Sequence, residues 1–358
     1  MRFYLIPSIS HSIKICTAFH FPIKFSSACA LRRQETLEET NMTTTHQYNN
    51  YTELQCLMQN YASSGDFTKA LYTLSLIRNN IPGKPTVYDL NSLIYCYFKC
   101  SNVSIHTLVE FYLGMKRFGP APNALTFNTL LNGFLSFRCL EDAIFILEEM
   151  RGSGFVPSFS ILSKLLKNLL ELKCLMDSIF VFEVMLTLGY VPSKSTSNLM
   201  ICSLCKAGMA REAYFVFSFL FNKGHFFGVF TFNPILWAFC KINETRTALQ
   251  LFCSMKKRGV VYNVCSYTAL VYGFCTEGLV EDALRCLDGM RGIGCKASVI
   301  TYTVVIKFLC DARRIDDAMR ILGEMEREGC DPDLLTYNVI LREVCYQGKM
   351  VLLMLLSS

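Results

Sequence analysis

Cys202 and Cys205 form a C-x-x-C motif, a spacing that occurs in redox and zinc sites. A tetrahedral zinc site needs four ligands, and neither a second cysteine pair nor a histidine lies at the usual spacing from these two. Cys205 also belongs to a column of cysteines that recurs along the chain, where a small apolar thiol packs between helices. We therefore interpret both as core residues, and Cys96 and Cys100, on one helix face, in the same way.

Other residue types that carry chemistry form no recognisable constellation either. Glu141-Asp142 and Asp316-Asp317 stand where helices begin, so the positive helix end explains them better than metal binding does. The five histidines make no acid–base or metal cluster: His11, His20, His46, His106 and His225. The sequence thus predicts no enzyme, no catalytic residue, no metal and no cofactor.

The positive charge of the chain is concentrated at its N-terminus. The sequence has 35 basic and 29 acidic residues, and five of the basic ones precede the first carboxylate at Glu35. Residues 1–45 are therefore predicted to be an organelle transit peptide, mitochondrial rather than plastid on arginine content. An ordinary disordered N-terminus and an extension that the mature chain lacks are the open alternatives. No apolar run reaches the roughly 18 residues of a membrane-spanning helix, so no membrane partner is predicted.

A period of 35 residues organises the rest of the chain. The glycine column is Gly119, Gly154, Gly189, Gly224, Gly259, Gly294 and Gly329. The small-residue column is Ala143, Ser178, Ala213, Ala248, Ala283 and Ala318, and the cysteine column is Cys205, Cys240, Cys275, Cys310 and Cys345. Independent domains would not stay in phase over so many residues, so the pattern predicts a repeat array.

The array is predicted to span residues 51–349. The first unit, at 51–86, is degenerate, and the second, at 87–123, carries a two-residue insertion. Six units of 35 residues follow, at 124–158, 159–193, 194–228, 229–263, 264–298 and 299–333. A partial unit at 334–349 precedes an apolar tail at 350–358, and this ending indicates a truncated chain or an aberrant gene model.

Each unit is predicted to form two helices. In unit 299–333, apolar residues at helical spacing predict a first helix from about Thr301 to Ala312 and a second from about Asp316 to Glu328. Gly329 is expected to end the second helix, because glycine tolerates the left-handed conformation. A hydroxyl residue is expected to cap each first helix: Thr126, Thr196, Thr231, Ser266, Thr301 and Thr336. Stacked pairs would then share one continuous core.

Several phrases carry a resemblance to a known family. They are TFNTLLNGF at 126–134, CKAG at 205–208, EDAL at 281–284, GCDPD at 329–333 and TYNVIL at 336–341. With the 35-residue spacing they resemble the pentatricopeptide repeat (PPR) family, P-type subclass, over about residues 51–349. The related 34-residue tetratricopeptide repeat, which binds proteins, is the nearest competitor, but its Trp- and Tyr-containing first helix is not matched.

The resemblance implies an all-α fold, a right-handed α-solenoid (superhelix) of about eight helix-turn-helix repeats plus a partial C-terminal repeat. It also implies a monomer that binds single-stranded organellar RNA along its concave face, one base per repeat. Such a protein would act in RNA processing, stability, splicing or translation by occupying its target, with a processing enzyme or the ribosome recruited in trans. A scaffold that binds another protein in the same groove is the alternative function.

Two side chains of each repeat, the fifth residue and the last, are implied to read the base. The pairs are Asn91 with Asn123, Asn128 with Ser158, Ser163 with Ser193, Asn198 with Gly228, Asn233 with Asn263, Thr268 with Ser298 and Thr303 with Asp333. The hypothesis assumes that these side chains neither point outward nor bond to neighbouring hairpins. Helix capping is the alternative explanation; it weakens because both columns stay short and polar over seven units, with Gly228 the exception.

The resemblance further implies a target sequence. In the family, asparagine as the fifth residue accompanies pyrimidines, and threonine or serine as the fifth residue accompanies purines. Threonine as the fifth residue with aspartate as the last accompanies guanine. Along the chain the predicted letters, 5′ to 3′, are pyrimidine, cytosine, unassigned, weak pyrimidine, pyrimidine, weak purine and guanine. Gln55 with Thr86 is assigned no base.

Two further sets of residues are implied to contact the RNA. The second residue of each repeat would clamp the base: Tyr88, Leu125, Phe230, Cys265, Ile300 and Leu335, with Ser160 and Ser195 as poor clamps in the same column. Lysines that end first helices are the candidate phosphate contacts: Lys99, Lys206 and Lys241.

Overall fold

The computed structural model describes residues 51–82, 85–100 and 103–347, so the predicted leader and the predicted apolar tail lie outside the described residues. These residues form two compact units, and the boundary between Ser104 and Ile105 falls inside the predicted repeat 87–123. Within the described ranges, no helix combines the length and the apolar character needed to cross a bilayer.

The helices alternate between the first and the second helix of successive repeats. In the compact unit that ends at Ser104 they are Tyr51–Ser63, Phe67–Asn80 and Val87–Tyr97. In the compact unit that begins at Ile105, the first helices are Ala124–Ser136, Phe159–Glu171, Lys194–Lys206, Val229–Lys241, Val264–Thr276, Val299–Asp311 and Leu334–Gln347. The second helices there are Ile105–Phe118, Leu140–Gly152, Leu175–Thr187, Ala210–Asn222, Thr245–Lys257, Val280–Gly292 and Ile315–Arg327. This series of helix pairs confirms the predicted all-α fold class.

Packing in the compact unit from Ile105 onward follows one rule. From Ala124–Ser136 on, each first helix packs against its own second helix and against the first helix of the next repeat. The small-residue column lies at these junctions without exposed surface, as Ala283 and Ser178 illustrate. Because a small side chain lets neighbouring backbones approach, the column explains how the apolar faces of successive pairs merge into one core.

Six second helices, from Leu140–Gly152 to Ile315–Arg327, end as the glycine column predicts, whereas Gly119 is not in the left-handed conformation. At the end of Ile315–Arg327, Gly329 has a φ of 68°, in the left-handed region. Its N–H donates to the Glu326 carbonyl, and the Cys330 N–H donates to the Met325 carbonyl. This pair of bonds is a Schellman ending, which satisfies carbonyls that the helix leaves free.

The first helices begin two residues earlier than predicted, and the predicted caps are wrong. The N-cap of Val299–Asp311 is Ser298, whose backbone is extended, with φ −91° and ψ 163°, and whose side chain accepts the Thr301 N–H. Thr301 is instead the third helical residue, and its hydroxyl accepts the Ser298 N–H at 3.4 Å. The same correction applies to the other five predicted caps: Thr126, Thr196, Thr231, Ser266 and Thr336. An N-cap residue has non-helical backbone dihedrals, as Ser298 does, whereas Thr301 lies within the helix.

The cysteine column is mostly a core column. Cys240 and Cys310 have no exposed surface, and Cys205 and Cys275 are nearly as buried. Cys345 differs, since it is exposed among the described residues. No group of metal-ligating side chains occurs in the ranges that the structure describes.

Candidate nucleic-acid interface

In six of the described repeats, the side chain of the last residue caps the first helix of the next repeat. The side chains of Asn123, Ser158, Ser193, Asn263 and Ser298 accept the backbone N–H of the residue three positions on. Asp333 accepts the Thr336 N–H at 2.8 Å, whereas Gly228 has no side chain with which to do so. Capping therefore accounts for the short polar residues of this column.

The fifth residue of a repeat bonds to the third residue of the next repeat in five places. Gln55 Nε2 donates to Asp89 Oδ1 at 2.8 Å within the compact unit that ends at Ser104. In the other compact unit, Thr231 Oγ1 donates to Asn198 Oδ1 at 2.9 Å and Ser266 Oγ donates to Asn233 Oδ1 at 2.7 Å. The hydroxyl pairs Thr268–Thr301 and Thr303–Thr336 are each 2.7 Å apart. The assumption that these side chains do not bond to neighbouring hairpins is therefore wrong for these repeats.

The same bonds bring the fifth and last residues of a repeat together. Asn233 Nδ2 donates directly to Asn263 Oδ1 at 3.0 Å. Elsewhere the third residue of the next repeat connects the pair. Thr301 Oγ1 lies 2.7 Å from Thr268 and 3.0 Å from Ser298. Thr336 Oγ1 lies 2.7 Å from Thr303 and donates to Asp333 at 2.8 Å. Each of these pairs is part of one hydrogen-bonded cluster.

Two repeats lack this connection. Asn128 Oδ1 and Ser163 Oγ are buried atoms without a hydrogen-bond partner among the described residues. Following Asn128, the third residue of the next repeat is Ile161, which has no polar side chain. After Ser163 it is Thr196, whose hydroxyl lies 3.0 Å from Ser193 instead. Two pairs remain: Asn198 is paired with Gly228, which has no side chain, and Asn91 is buried in one compact unit whereas Asn123 belongs to the other.

The threonines of two clusters are buried, and each has partners within the protein for its hydroxyl proton. Thr268 Oγ1 lies 2.8 Å from the Val264 carbonyl oxygen and 2.7 Å from the Thr301 hydroxyl. Thr303 Oγ1 likewise lies 2.7 Å from the Val299 carbonyl oxygen and 2.7 Å from the Thr336 hydroxyl. A hydroxyl has one proton, and each threonine can donate it within the protein, which leaves lone pairs for an outside donor.

Asp333 is a charged acceptor. Hydrogen bonds from the backbone N–H and then the hydroxyl of Thr336 hold the pKa of its carboxyl below the usual range. Both bonds go to Oδ1, and the residue is exposed. An ionised carboxylate has no proton to donate, so Asp333 and Thr303 together present acceptors only.

The predicted clamp residues are exposed apolar side chains. Phe230 is 86% exposed and Ile300 66% exposed. The other members of the column are also exposed: Tyr88, Leu125, Cys265 and Leu335. Ser160 and Ser195 are exposed at the same position of their helices. The folding of the described residues does not require apolar groups here, so the column is available to a ligand.

The three candidate phosphate contacts differ in their surroundings. Lys206 and Lys241 are exposed and are the final residues of their first helices, as predicted. Lys99 lies two residues beyond the end of Val87–Tyr97, so its placement at a helix end is a correction, and its ammonium lies 4.3 Å from the centre of the Tyr95 ring.

An aromatic row on three first helices was not predicted from the sequence. The Trp237 and Tyr272 ring centres are 5.3 Å apart, and those of Tyr272 and Phe308 are 6.4 Å apart. All three side chains are half-buried. Trp237 and Tyr272 are both the ninth residue of their repeats, which is the signal that a search at the 35-residue interval could have used.

Family models match in register with these helix pairs. The PPR repeat family model matches residues 228–276, 262–311 and 298–346, and the PPR repeat model matches residues 125–155 and 195–225. The chain belongs to the PPR repeat family. This finding confirms the family that the sequence resembles, while the P-type subclass remains a prediction. No curated protein matches the chain.

Several solved PPR structures resemble the chain. The crystal structure of pentatricopeptide repeat protein PPR10 from maize shares 21% identity, over 90% of this chain and 54% of that chain, with a TM-score of 0.46. PPR10 in complex with an 18-nt psaJ RNA element shares 20% identity, over 88% of this chain and 56% of that chain, with a TM-score of 0.44. The PPR domain of Arabidopsis thaliana protein-only RNase P 1 in complex with tRNA shares 16% identity, over 42% of this chain and 79% of that chain, with a TM-score of 0.38. The chain thus spans about half the length of PPR10.

Proposed function

We propose that this protein binds single-stranded RNA in a sequence-dependent way, with one base addressed by each repeat. Membership of the PPR family supports binding of this ligand class. The observation that carries the proposal is the repeated combination of an exposed apolar second residue with a polar cluster of the fifth and last residues, as in Phe230, Asn233 and Asn263. A base offers its ring face to the apolar side chain and its polar edge to the polar cluster.

The chemistry of the cluster at the end of repeat 299–333 fits guanine. Guanine presents two neighbouring N–H donors, N1–H and the exocyclic amine, on its pairing edge. Thr303 and Asp333 offer acceptors only, and the carboxylate is charged, which strengthens the bonds it accepts. Cytosine and adenine each present a ring nitrogen with a lone pair at the corresponding edge, which would face an acceptor. We propose guanine at this letter.

The cluster in repeat 229–263 has a different character. Asn233 donates one N–H to Asn263 and accepts from Ser266, so one further N–H and one lone pair of its amide remain. Asn263 Oδ1 accepts from the Asn233 side-chain amide and from the backbone N–H of Ser266. The side-chain N–H groups of Asn263 therefore remain as donors. A mixed set of donors and acceptors suits the mixed edge of a pyrimidine, and we propose a pyrimidine at this letter.

The full proposed target keeps the order that the sequence implies: pyrimidine, cytosine, unassigned, weak pyrimidine, pyrimidine, weak purine and guanine. Asn198 supports only a weak letter, because Gly228 supplies no second side chain. We propose that the protein acts without catalysis, by covering its target and thereby blocking a nuclease, opening a hairpin or recruiting a processing enzyme. Members of the family are typically organellar, and we propose the mitochondrion, from the arginine content of residues 1–45.

Selection from randomised RNA tests this function. Purified protein is incubated with a library of single-stranded RNA, and bound molecules are sequenced after repeated rounds. Enrichment of a short motif that ends in guanine and contains pyrimidines at the asparagine repeats supports the proposal. Recovery without enrichment, or of a motif unrelated to these letters, contradicts it and favours the protein-binding scaffold.

A further inference from the structure

In five of the described repeats, the side chain of the third residue bonds to the fifth residue of the repeat before it. This column consists of Asp89, Thr126, Ile161, Thr196, Thr231, Ser266, Thr301 and Thr336. Five of its members bond to the fifth residue of the preceding repeat. The two partners are about one repeat apart in sequence, 34 residues in the first case and 33 in the other four. The contact is therefore a recurring property of the stacked pairs.

The chemistry of the third residue decides which end of a neighbouring amide it holds. Ser266 donates to Asn233 Oδ1 at 2.7 Å, so the oxygen end of that amide is held. Asp89 accepts from Gln55 Nε2 at 2.8 Å, so the nitrogen end is held instead. A rotation of the side-chain amide by 180° exchanges the positions of its N–H donors and its oxygen acceptor. A hydroxyl and a carboxylate at the third residue thus fix opposite orientations.

We propose that the third residue of each repeat is a positioning residue that helps to determine which base the preceding repeat accepts. The inference rests on the proposed RNA-binding function and adds to it a residue that does not itself touch the base. Uracil and cytosine differ at the fourth carbon, where one has a carbonyl oxygen and the other an amine. An asparagine with a fixed amide can distinguish them, whereas one that is free to turn can satisfy both.

Repeat 124–158 is the natural exception. Ile161 stands at the third position after Asn128, and Asn128 Oδ1 is buried without a partner in the described part of the chain. Asn128 therefore has no neighbour of this kind to fix its amide. Ile161→Thr is expected to supply one and to sharpen the choice between cytosine and uracil at that letter.

The experiment removes one hydroxyl and measures the base preference at single letters of the RNA target. Ser266→Ala abolishes the bond to Asn233, and the preference between uracil and cytosine at the Asn233 letter is expected to fall on the order of tenfold, the effect of one hydrogen bond. Ser266→Thr restores a donor and is expected to restore the preference. Thr276→Ala is the matched control, because it also removes a hydroxyl from Val264–Thr276 but one that donates to the Gly273 carbonyl of the same helix, and it is expected to change no letter.

A second measurement keeps the inference apart from the function on which it rests. The mobility of the Asn233 side-chain amide is measured by NMR on the free protein. The wild-type amide is held at both ends, by Ser266 at Oδ1 and by Asn263 at Nδ2, and it is expected to become more mobile in Ser266→Ala, which removes the first of these bonds. Greater mobility together with a change at one letter supports the proposal. A uniform loss of affinity at all letters, or unchanged mobility, overturns it. A wild type that enriches no RNA overturns the proposed function, and the proposal with it, whatever the mobility shows.

Discussion

The apolar side chains at the second residue of each repeat are exposed where folding does not need them. Phe230 is 86% exposed, so Phe230→Ser is expected to leave the thermal unfolding midpoint nearly unchanged. If the ring stacks on a base, the same change costs about 1–3 kcal/mol of RNA affinity. Val261→Ser is the matched control, since Val261 is 83% exposed but is not a second residue. Equal RNA affinities of the two variants, measured by fluorescence anisotropy, would contradict the clamp assignment.

The buried thiols predict a pH dependence of stability. Burial raises the pKa of the Cys275 thiol to about 12, with a smaller contribution from nearby Cys286. The thiol ionises at a lower pH in the unfolded protein than in the folded one. The contribution of the buried thiol to the free energy of unfolding is therefore complete below about pH 9 and is lost as pH rises towards about 12. The destabilisation caused by Cys275→Ala should therefore shrink between about pH 8 and about pH 11.

Chemical unfolding of the wild type and Cys275→Ala at both pH values measures this difference. Cys265→Ala is the control, because Cys265 is exposed in the folded protein. A Cys275→Ala destabilisation that stays constant or grows with pH would show that the thiol is not buried as the structure has it.

At the scale of helices, two neighbouring repeats approach each other closely at Gly273. A Cβ there would lie 2.5 Å from Thr245 Oγ1 and 2.6 Å from Cys240 Sγ, both on the preceding repeat. Gly273→Ala is therefore expected to destabilise the protein by about 1–3 kcal/mol through overpacking. Gly289→Ala, in the second helix of the same repeat, has open space and should stabilise by up to about 1 kcal/mol. Denaturant unfolding distinguishes the two, and a neutral Gly273→Ala would contradict the packing.

The helices could be predicted from sequence except for their starting residues. Glycine at one fixed position identifies the ends of the second helices, because glycine adopts the left-handed conformation most readily. The starts are ambiguous, because Ser298 and Thr301 both have side chains that can cap a helix. The backbone of Ser298 decides between them, and that backbone depends on the loop before the helix. Local sequence alone does not contain this information.

At the scale of the whole molecule, the period predicted the repeats but not the contacts between them. The 35-residue interval identifies which residues are equivalent, and the fifth, last and second residues lie on or beside the first helices. The bond between Asn233 and Ser266 joins residues 33 positions apart on two helices. Its existence depends on how closely those helices pack, which residue types do not specify. The sequence therefore predicted candidate residues, while the structure shows their partners.

The most direct test of the central claim changes the pair in one repeat. Asn233→Thr combined with Asn263→Asp reproduces in repeat 229–263 the pair that Thr303 and Asp333 form in repeat 299–333. Selection from randomised RNA is then repeated with the double variant beside the wild type. The account predicts that the preferred base at that one letter changes from a pyrimidine to guanine while the other letters stay the same. An unchanged base at that letter, or changes spread over several letters, would contradict it.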